Sequence, residues 1–444
     1  GLQAGQNVPG NALVASVVLF NTRLNSLDNI TNDLRITGDF EVGSGTATLT
    51  AGFYKSRQDI NTDWLWTSHL LEVRGGGNAA LIDVVAANGQ RRSDLGTVAY
   101  SASFFGNCCR RSYDLQYDTN APFASLSLAF DRLTLDGSIR YDFGDASGQT
   151  FGSDLGGGRV GITSFDFNRN GAISPAEAQT ATIPLNAPAL VDYSYNYFSY
   201  SFGANYRVSD DLALFARYSK GGRANADRIL FNNDNVNFVT GNIRSEGIAV
   251  DFVKQAEAGV KYRSGGLALY ATGFYAETEE TNFEATTRQT FDRQFKAHGI
   301  ELEASYRTGG FTLSAGGTYT DAEISRDRIS PANQGNTPRR QADFIYQLSG
   351  QYEQDMFSLG ANLVGTTDSF TQDSNQLKLP AFAQVNAFLA FRPIERIEVG
   401  LNAQNLFNAT GFTEAEEGSI PANGIVRARS IAGRTVLASV RFDF

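Results

Sequence analysis

The sequence predicts an all-β protein, a transmembrane antiparallel β-barrel, because strands with one apolar and one polar face recur along most of the chain. Near its end, Val436, Ala438, Val440, Phe442 and Phe444 alternate with residues that are mostly polar or charged. Successive side chains of a strand point to opposite faces of a sheet. Such a strand presents hydrocarbon on one side and polar groups on the other, as a barrel in a lipid bilayer requires.

The same alternation occurs in earlier segments, at 33–42, 133–143, 300–307 and 357–363. In the second of these, Leu135 and Ile139 share one face, and Asp136 and Arg140 share the other. Because the charged residues of these segments lie on a single face, that face is predicted to line a hydrated lumen. The apolar face is predicted to contact lipid.

Composition supports this prediction and excludes other classes of protein. The chain contains 45 Gly but only 2 Cys and 1 Met, and its mean hydropathy is −0.25. No run of about 18 apolar residues is present, so no transmembrane helix is predicted. The apolar stretch 13–20 is too short to span a bilayer and is predicted to pack in a loop. A net charge of −10 argues against a nucleic-acid partner, because a phosphate-binding surface needs a basic excess.

Short and long connections alternate along the chain. Short turns are predicted at 42–46, 130–133, 207–211, 263–267, 307–311, 353–357 and 392–396. Long polar loops are predicted at 58–120, 144–190, 222–250, 277–296, 323–338, 366–378 and 408–426. Bacterial outer-membrane barrels have short periplasmic turns and long extracellular loops. The pattern therefore predicts a protein of the Gram-negative outer membrane, with extracellular long loops and a periplasmic C-terminus.

The count of predicted strands is odd, which has consequences for the domain organisation. About fifteen strands run from Ile30 to Phe444, each near the length that crosses a membrane at a tilt. Residues 1–29 are predicted to be an extracellular segment leading into the barrel, and residues 30–444 are predicted to be its C-terminal part. An odd number of antiparallel strands does not close a barrel. The remaining strands would come from the same polypeptide or from a second chain.

Several motifs resemble those of the TonB-dependent outer-membrane receptors. They are GIELEASYR at 299–307, LALFARYSKGGRAN at 212–225, QNLFN at 404–408 and the closing VRFDF. The resemblance covers nearly all of the chain from Ile30 onward. It implies a barrel of about 22 strands around an N-terminal plug domain, and a plug segment that engages the energy-transducing protein TonB. By this resemblance the plug domain and about seven strands are expected to be missing from this chain, which agrees with the strand count.

A twelve-residue segment in the second long loop matches an EF-hand calcium loop. Asp166, Asn168 and Asn170 provide side-chain oxygens, and Gly171 permits the sharp turn. The remaining ligands would be the Ala172 carbonyl, Ser174 directly or through water, and a bidentate Glu177. With only two carboxylates, the site is expected to be weak, with Kd on the order of 10⁻⁴ to 10⁻³ M. The alternative is an Asn- and Gly-rich loop that matches the pattern by chance.

The cysteines of the chain, Cys108 and Cys109, are adjacent. In an oxidising compartment they can form a vicinal disulfide, which closes a strained small ring. Free thiols and a bond to another chain are the alternatives.

Trp64 and Trp66 lie in the first long loop and are candidate ligand contacts. Their indole rings suit stacking on a sugar or on an aromatic siderophore. The alternative is that they pack within the loop or lie in the aromatic girdle at the membrane surface.

The leading functional hypothesis is energised uptake, in which a scarce siderophore, vitamin or oligosaccharide binds the loops and TonB acts on the plug. A passive porin-like channel is the alternative, and loops as long as 58–120 exceed what a simple pore needs. A barrel enzyme is not expected, because no catalytic Ser/His/Asp set is evident and the chain has 2 His. Outer-membrane lipid and lipopolysaccharide are the other expected partners, together with the small-molecule substrate.

Overall fold

The computed structural model describes residues 8, 10, 12–19, 22–64, 67–73, 80–83, 97–99, 111–152, 161–163, 171–173, 180–182, 188–225, 229–230, 235–284, 289–415, 420 and 424–443. These residues form strands joined by turns and loops, with short 3₁₀ helices at Glu246–Ile248 and Pro331–Asn333. Within the described part of the chain, no helix is long and apolar enough to cross a membrane.

In chain order the strands are β1 (Val14–Leu19), β2 (Thr22–Val42), β3 (Gly45–Trp64), β4 (Thr67–Glu72), β5 (Ala80–Leu81), β6 (Thr97–Ala99), β7 (Arg111–Ala129), β8 (Leu133–Gly152), β9 (Gly161–Thr163), β10 (Thr180–Thr182), β11 (Ala189–Arg207), β12 (Leu212–Ala224), β13 (Val250–Ser264), β14 (Leu267–Glu284), β15 (Gln289–Thr308), β16 (Phe311–Asp327), β17 (Phe344–Glu353), β18 (Phe357–Thr366), β19 (Ser369–Phe370), β20 (Lys378–Leu379), β21 (Phe382–Ile394), β22 (Ile397–Gln404), β23 (Phe412–Ala415), β24 (Ala428–Ser430) and β25 (Thr435–Phe442).

One large antiparallel sheet dominates the fold. It has 15 strands in the order β2-β3-β7-β8-β11-β12-β13-β14-β15-β16-β17-β18-β21-β22-β25. The strands of this sheet are arranged in the order in which they occur along the chain, so the sheet is a meander. The strand numbers that the order omits belong to the small sheets described next. The predicted number of strands and their antiparallel pairing are confirmed.

The remaining strands form small sheets; β1 precedes the large sheet, and the others lie in the long connections. β1 and β4 pair with each other, and β4 also pairs with β5 and β6. Three hairpins pair β9 with β10, β19 with β20, and β23 with β24. The stretch 13–20, which we predicted to pack in a loop, therefore contributes a short strand outside the large sheet.

The large sheet has one apolar and one polar face, as the alternation predicted. Leu302 lies opposite Ala271 on the apolar face, and Glu303 lies opposite Tyr270 on the polar face. Large apolar side chains such as Ile300 and Leu302 are more than half exposed, at 53% and 56%. Exposure of this kind is unfavourable in water and favourable in lipid.

The short turns occur where the sequence predicts them, and glycine shapes several of them. Gly43, Gly265 and Gly309 each open a two-residue turn with a positive φ, at 61°, 55° and 52°. Primed hairpin turns need this left-handed backbone, and their twist matches that of the flanking strands.

The connections predicted at 58–120, 144–190, 222–250 and 277–296 are shorter than predicted, because the strands continue into the predicted loops. The connections 367–381 and 405–434 are longer than the predicted 366–378 and 408–426. The loop predicted at 277–296 is reduced to 285–288, since β14 ends at Glu284 and β15 begins at Gln289. The first strand of the sheet likewise begins at Thr22 rather than near Ile30, so residues 22–29 belong to the sheet. In the parts of these strands that lie next to the long connections, polar residues occur on both faces. The alternation of apolar and polar residues that reveals a strand is therefore lost there.

Candidate functional site

All the long connections leave the sheet at one end, which we call the long-loop end. There the connections 328–343, 367–381 and 405–434 are joined to one another and to β14 and β15. We describe this contact region first, because it provides a fixed polar wall beside the polar face of the sheet.

Asp373, in the connection 367–381, is the centre of the wall. Its carboxylate forms an ion pair with Arg293 of β15 and accepts a hydrogen bond from the backbone N–H of Arg339 at 2.9 Å. The Arg293 guanidinium also donates to Glu280 of β14 at 2.8 Å. The side chains of Arg293 and Asp373 are 4% and 8% exposed. Both charges are therefore removed from water and depend on each other.

An aromatic ring contacts both guanidinium groups of the wall. The Cζ atoms of Arg293 and Arg339 lie 4.0 and 4.7 Å from the centroid of the Phe291 ring. Guanidinium groups are attracted to the electron-rich face of an aromatic ring. This contact fixes both arginines in the orientation in which they reach Asp373.

Next to Asp373, Gln372 is buried at 2% exposure. Neither atom of its amide forms a hydrogen bond with a described residue. Buried polar groups in folded proteins almost always have a hydrogen-bond partner, and water or a ligand atom could serve as one for Gln372. The amide is thus a candidate contact for a bound molecule at this wall.

The three connections hold one another through hydrogen bonds and ion pairs. Thr337 and Asn375 exchange two hydrogen bonds, of 3.0 and 2.8 Å, between the first and second connections. The Arg340 guanidinium reaches Glu414 of the third connection at 3.0 Å, and Glu414 also binds Arg429 at 3.3 Å. The wall is thus a single unit built from residues far apart in sequence.

Asn405 fixes the base of the third connection. Its side-chain amide donates to the carbonyls of Ala409 at 2.8 Å and Ala432 at 2.9 Å, and it accepts from the Ala409 N–H at 2.7 Å. Asn405 is 1% exposed, and its backbone is left-handed at φ 49°. Asn adopts this conformation more readily than most residues. The QNLFN motif therefore clamps the two ends of the connection 405–434 together.

A second element of the long-loop end is an apolar cluster on the polar face of β7, β8 and β11. The connection 225–249 contributes to it, so this connection lies over the sheet. Its buried members are Tyr113, Leu115, Ala146, Ala189, Val191, Tyr193, Ile229, Leu230, Val236, Phe238 and Ile248. The candidate ligand residue Trp64, at the end of β3, is partly buried and packs against this cluster together with Ile60.

Exposed ion pairs also occur in the connections. Lys378 lies 2.6 Å from Asp368, at the ends of the hairpin formed by β19 and β20. The hydrogen bond from this ammonium group lowers the pKa of Asp368. Both side chains are about half exposed, so the pair contributes little to stability.

Most residues of the predicted calcium loop, namely Asp166, Asn168, Asn170, Ser174 and Glu177, lie outside the described residues, as do Cys108, Cys109 and Trp66. Within the loop, Gly171 and Ala172 are described, and Gly171 has φ 82°. A sharp turn at this position needs such a left-handed residue. Among the residues that the structure describes, no cluster of His, Cys, Asp and Glu suitable for a metal ion is found.

Sequence reasoning missed the wall centred on Asp373. Its charges come from β14, β15 and two separate connections, and no local motif links them. The sequence did contain one motif of this region, QNLFN, which includes Asn405 and which we used only as part of the family resemblance. The pattern did not reveal that Asn405 acts as a clamp.

A two-faced meander of this size with long connections at one end defines the class of outer-membrane β-barrels. Within that class, residues 8–406 match the family model described as TonB dependent receptor-like, beta-barrel. The chain therefore belongs to the TonB-dependent receptor β-barrel family, whose barrels are proteins of the Gram-negative outer membrane. The family consists of receptors and transporters rather than enzymes.

Comparisons with individual proteins agree with this assignment. The chain is 25% identical over 252 residues to the pesticin receptor of Yersinia enterocolitica, a match that covers 54% of this chain and 35% of the receptor. It thus matches about a third of the length of that relative.

Solved structures show the same fold. The siderophore receptor PiuA from Acinetobacter baumannii aligns with a TM-score of 0.62 at 16% identity, covering 94% of this chain and 56% of PiuA. The ferric-catecholate import receptor Fiu from Escherichia coli K12 aligns with a TM-score of 0.61 at 16% identity, covering 97% and 60%.

Proposed function

We propose that this chain is the barrel portion of an outer-membrane receptor that takes up a scarce external ligand with energy supplied through TonB. The observation that carries the proposal is the match of residues 8–406 to the receptor barrel family. The interlocked connections beside the polar face add support, because a passive channel does not need them. Siderophores, vitamins and oligosaccharides are the candidate ligands, and the relatives named above are siderophore, ferric-catecholate and pesticin receptors.

The proposed orientation puts the long-loop end outside the cell and the short turns and the C-terminus in the periplasm. The lengths of the strands support it. β2, β3 and β8 contain 21, 20 and 20 residues, whereas about 10 residues cross the membrane. The strands therefore project well beyond the bilayer at the end where the connections are long, as extracellular loops of barrels do.

TonB is the proposed energy-transducing partner, and it would act through a plug domain. The apolar face contacts outer-membrane lipid and lipopolysaccharide. The polar face lines the lumen through which the ligand passes.

The segment 166–177 is proposed to bind calcium and thereby stiffen its loop. The ligands would be Asp166, Asn168, Asn170, the Ala172 carbonyl, Ser174 and Glu177. The left-handed Gly171 supports the proposal, since the EF-hand loop requires a sharp turn at this position. The ion would have a structural role, not a catalytic one.

Trp64 and Trp66 are proposed to contact the ligand at the long-loop end. Trp64 is partly buried against the apolar cluster, so any stacking surface is the part of its ring that the cluster leaves open. For Cys108 and Cys109 a vicinal disulfide is proposed, with free thiols and a bond to another chain as the alternatives.

Uptake by cells tests the proposed function. The native host, a deletion of this receptor and a deletion of TonB would be compared for accumulation of iron-55 siderophore, vitamin B12 and labelled maltohexaose. The proposal predicts that accumulation of at least one probe requires both the receptor and TonB. Accumulation that requires the receptor but not TonB would indicate a passive channel, and no dependence on the receptor for any probe would refute uptake of these ligand classes.

A further inference from the structure

The polar face of the large sheet is not uniform in charge. On β8, β13 and β15 it carries ionised residues along the strands, for example Asp136, Glu257, Lys261 and Glu301. On β17, β18, β21, β22 and β25 the charges of the polar face are confined to the end of the sheet opposite the long-loop end, which we call the short-turn end. There Arg392 binds Glu398 at 2.8 Å. From there to Gln404, the polar face of these five strands is uncharged.

Carboxamides replace the charges on this part of the sheet. They surround a concavity with a volume of about 810 Å³. The carboxamide residues that line it are Gln351, Asn362, Gln384, Asn386, Asn402 and Gln404. Ladder pairing brings two of them together, since Asn362 lies opposite Asn386. Gln404 lies opposite Thr435, which also lines the concavity.

Several of these carboxamides are available to a ligand. Gln384 donates to Asn386 at 2.9 Å, and Asn386 also accepts from the backbone N–H of Asn405 at 2.9 Å. For Asn362 and Asn402 no side-chain hydrogen bond is found within the described residues. Each of these amides has one accepting oxygen and two donating N–H groups, so the concavity offers donors and acceptors without a net charge.

An aromatic ring lies in the same concavity. Phe388 is paired with Gly360, and a Cβ atom added at Gly360 would lie 2.6 Å from the Phe388 ring. The Phe388 ring therefore packs directly against the backbone of Gly360, in a position that any side chain at residue 360 would obstruct. Phe388 remains 36% exposed, so part of its ring is accessible from the concavity.

We propose that this concavity binds an uncharged, hydroxyl-rich ligand of the carbohydrate class. A hydroxyl group both donates and accepts hydrogen bonds, which matches a carboxamide better than a charged group. The C–H face of a sugar ring packs on an aromatic ring. An ionic iron chelate finds no compensating charge here. The inference deepens the proposed function and rests on it, because it names the class of ligand that passes along this wall of the lumen.

Equilibrium binding to the purified protein tests this inference separately from uptake. Titration calorimetry in a detergent without a sugar headgroup would use maltohexaose, cellohexaose and xylohexaose as probes, with ferric citrate as the charged counterpart. The expected result is that at least one oligosaccharide binds. We expect the N362D/N402D double variant, which keeps side-chain volume, to weaken that binding by at least about tenfold. Phe388→Ala is expected to weaken it as well.

Gln255→Leu is the matched control, because Gln255 is a polar-face amide on β13 outside the concavity. Its affinity for the oligosaccharide is expected to equal that of the wild type. Heat-modifiable migration in electrophoresis establishes that each variant is folded. The inference is overturned if no oligosaccharide binds, or if the double variant and Q255L bind the oligosaccharide equally well. It is also overturned if the double variant loses binding of ferric citrate and keeps binding of the oligosaccharide. Oligosaccharide binding without TonB-dependent uptake would uphold the concavity and refute the proposed transport.

Discussion

Arg293 and Asp373 form a buried ion pair although they are 80 positions apart in sequence. Arg293 belongs to a strand of the large sheet, and Asp373 belongs to a connection that folds back over the polar face. Each charge is compensated by the other and by a further partner, Glu280 for the arginine and the Arg339 N–H for the aspartate. The pair anchors the wall of the long-loop end to the sheet.

Asp373→Asn is expected to loosen the wall. The substitution removes one of the two carboxylates that compensate the buried Arg293 and leaves Glu280 as its remaining partner. The cost is therefore expected to lie below the roughly 3–5 kcal/mol that an uncompensated buried charge costs. We expect trypsin to cleave the connections 328–343 and 367–381 faster in the variant than in the wild type. Asp368→Asn is the control, because that carboxylate is 46% exposed and its pair contributes roughly 0–1 kcal/mol. Equal cleavage of the two variants would show that the buried pair does not hold the wall.

Asn405 variants are expected to separate backbone strain from hydrogen bonding. Asn405→Gly loses the side-chain hydrogen bonds, each worth about 1 kcal/mol, but accommodates the positive φ. Asn405→Ala loses the same bonds and adds roughly 1–2 kcal/mol of strain. The expected order of thermal stability is wild type, then N405G, then N405A, measured as loss of the heat-modifiable folded band. An alanine variant as stable as the glycine variant would contradict the contribution of backbone strain.

The Asp368–Lys378 pair is expected to respond to acid and not to neutral pH. Because the pKa of Asp368 is lowered in the folded protein, the pair stabilises the hairpin above the ordinary aspartate pKa of about 4. That stabilisation is lost as the pH falls through the lowered pKa. Hydrogen exchange of the hairpin, compared between wild type and D368N at equal pH, should differ at pH 6, and the difference should shrink as the pH is lowered into the acid range. A difference that does not shrink as the pH is lowered would contradict the assignment to this carboxylate.

Calcium is expected to protect the segment 160–180 from protease in the wild type and not in Glu177→Gln. The amide cannot act as a charged bidentate ligand, and the weak site depends on both of its carboxylates. Protection would be measured at millimolar calcium and after chelation. Asp154→Asn, in the same connection but outside the twelve residues, is the control and should behave as the wild type. Identical calcium-dependent protection in wild type and E177Q would refute the site.

The features that the sequence predicts correctly are local ones. The strand count follows from alternation such as that of Leu302 with Glu303, and the turns follow from glycines such as Gly265 and Gly309. Strand ends were wrong where polar residues occupy both faces, as in Thr22 to Asn29. The wall was not predictable, because the partners of Asp373 come from elements that only the folded sheet brings together. The Asn405 clamp was visible as a motif, but its hydrogen bonds depend on Ala432 at the far end of the connection.

The orientation of the sheet in the membrane is the claim on which the proposed uptake depends most directly. We would replace Cys108 and Cys109 with serine, introduce Ala332→Cys in a long connection or Met356→Cys in a short turn, and treat intact cells with a membrane-impermeant maleimide. Both positions are exposed, so each reacts when the reagent reaches it. The account predicts that A332C is labelled in intact cells and that M356C is labelled only after the outer membrane is permeabilised. Labelling of M356C but not A332C in intact cells would contradict it.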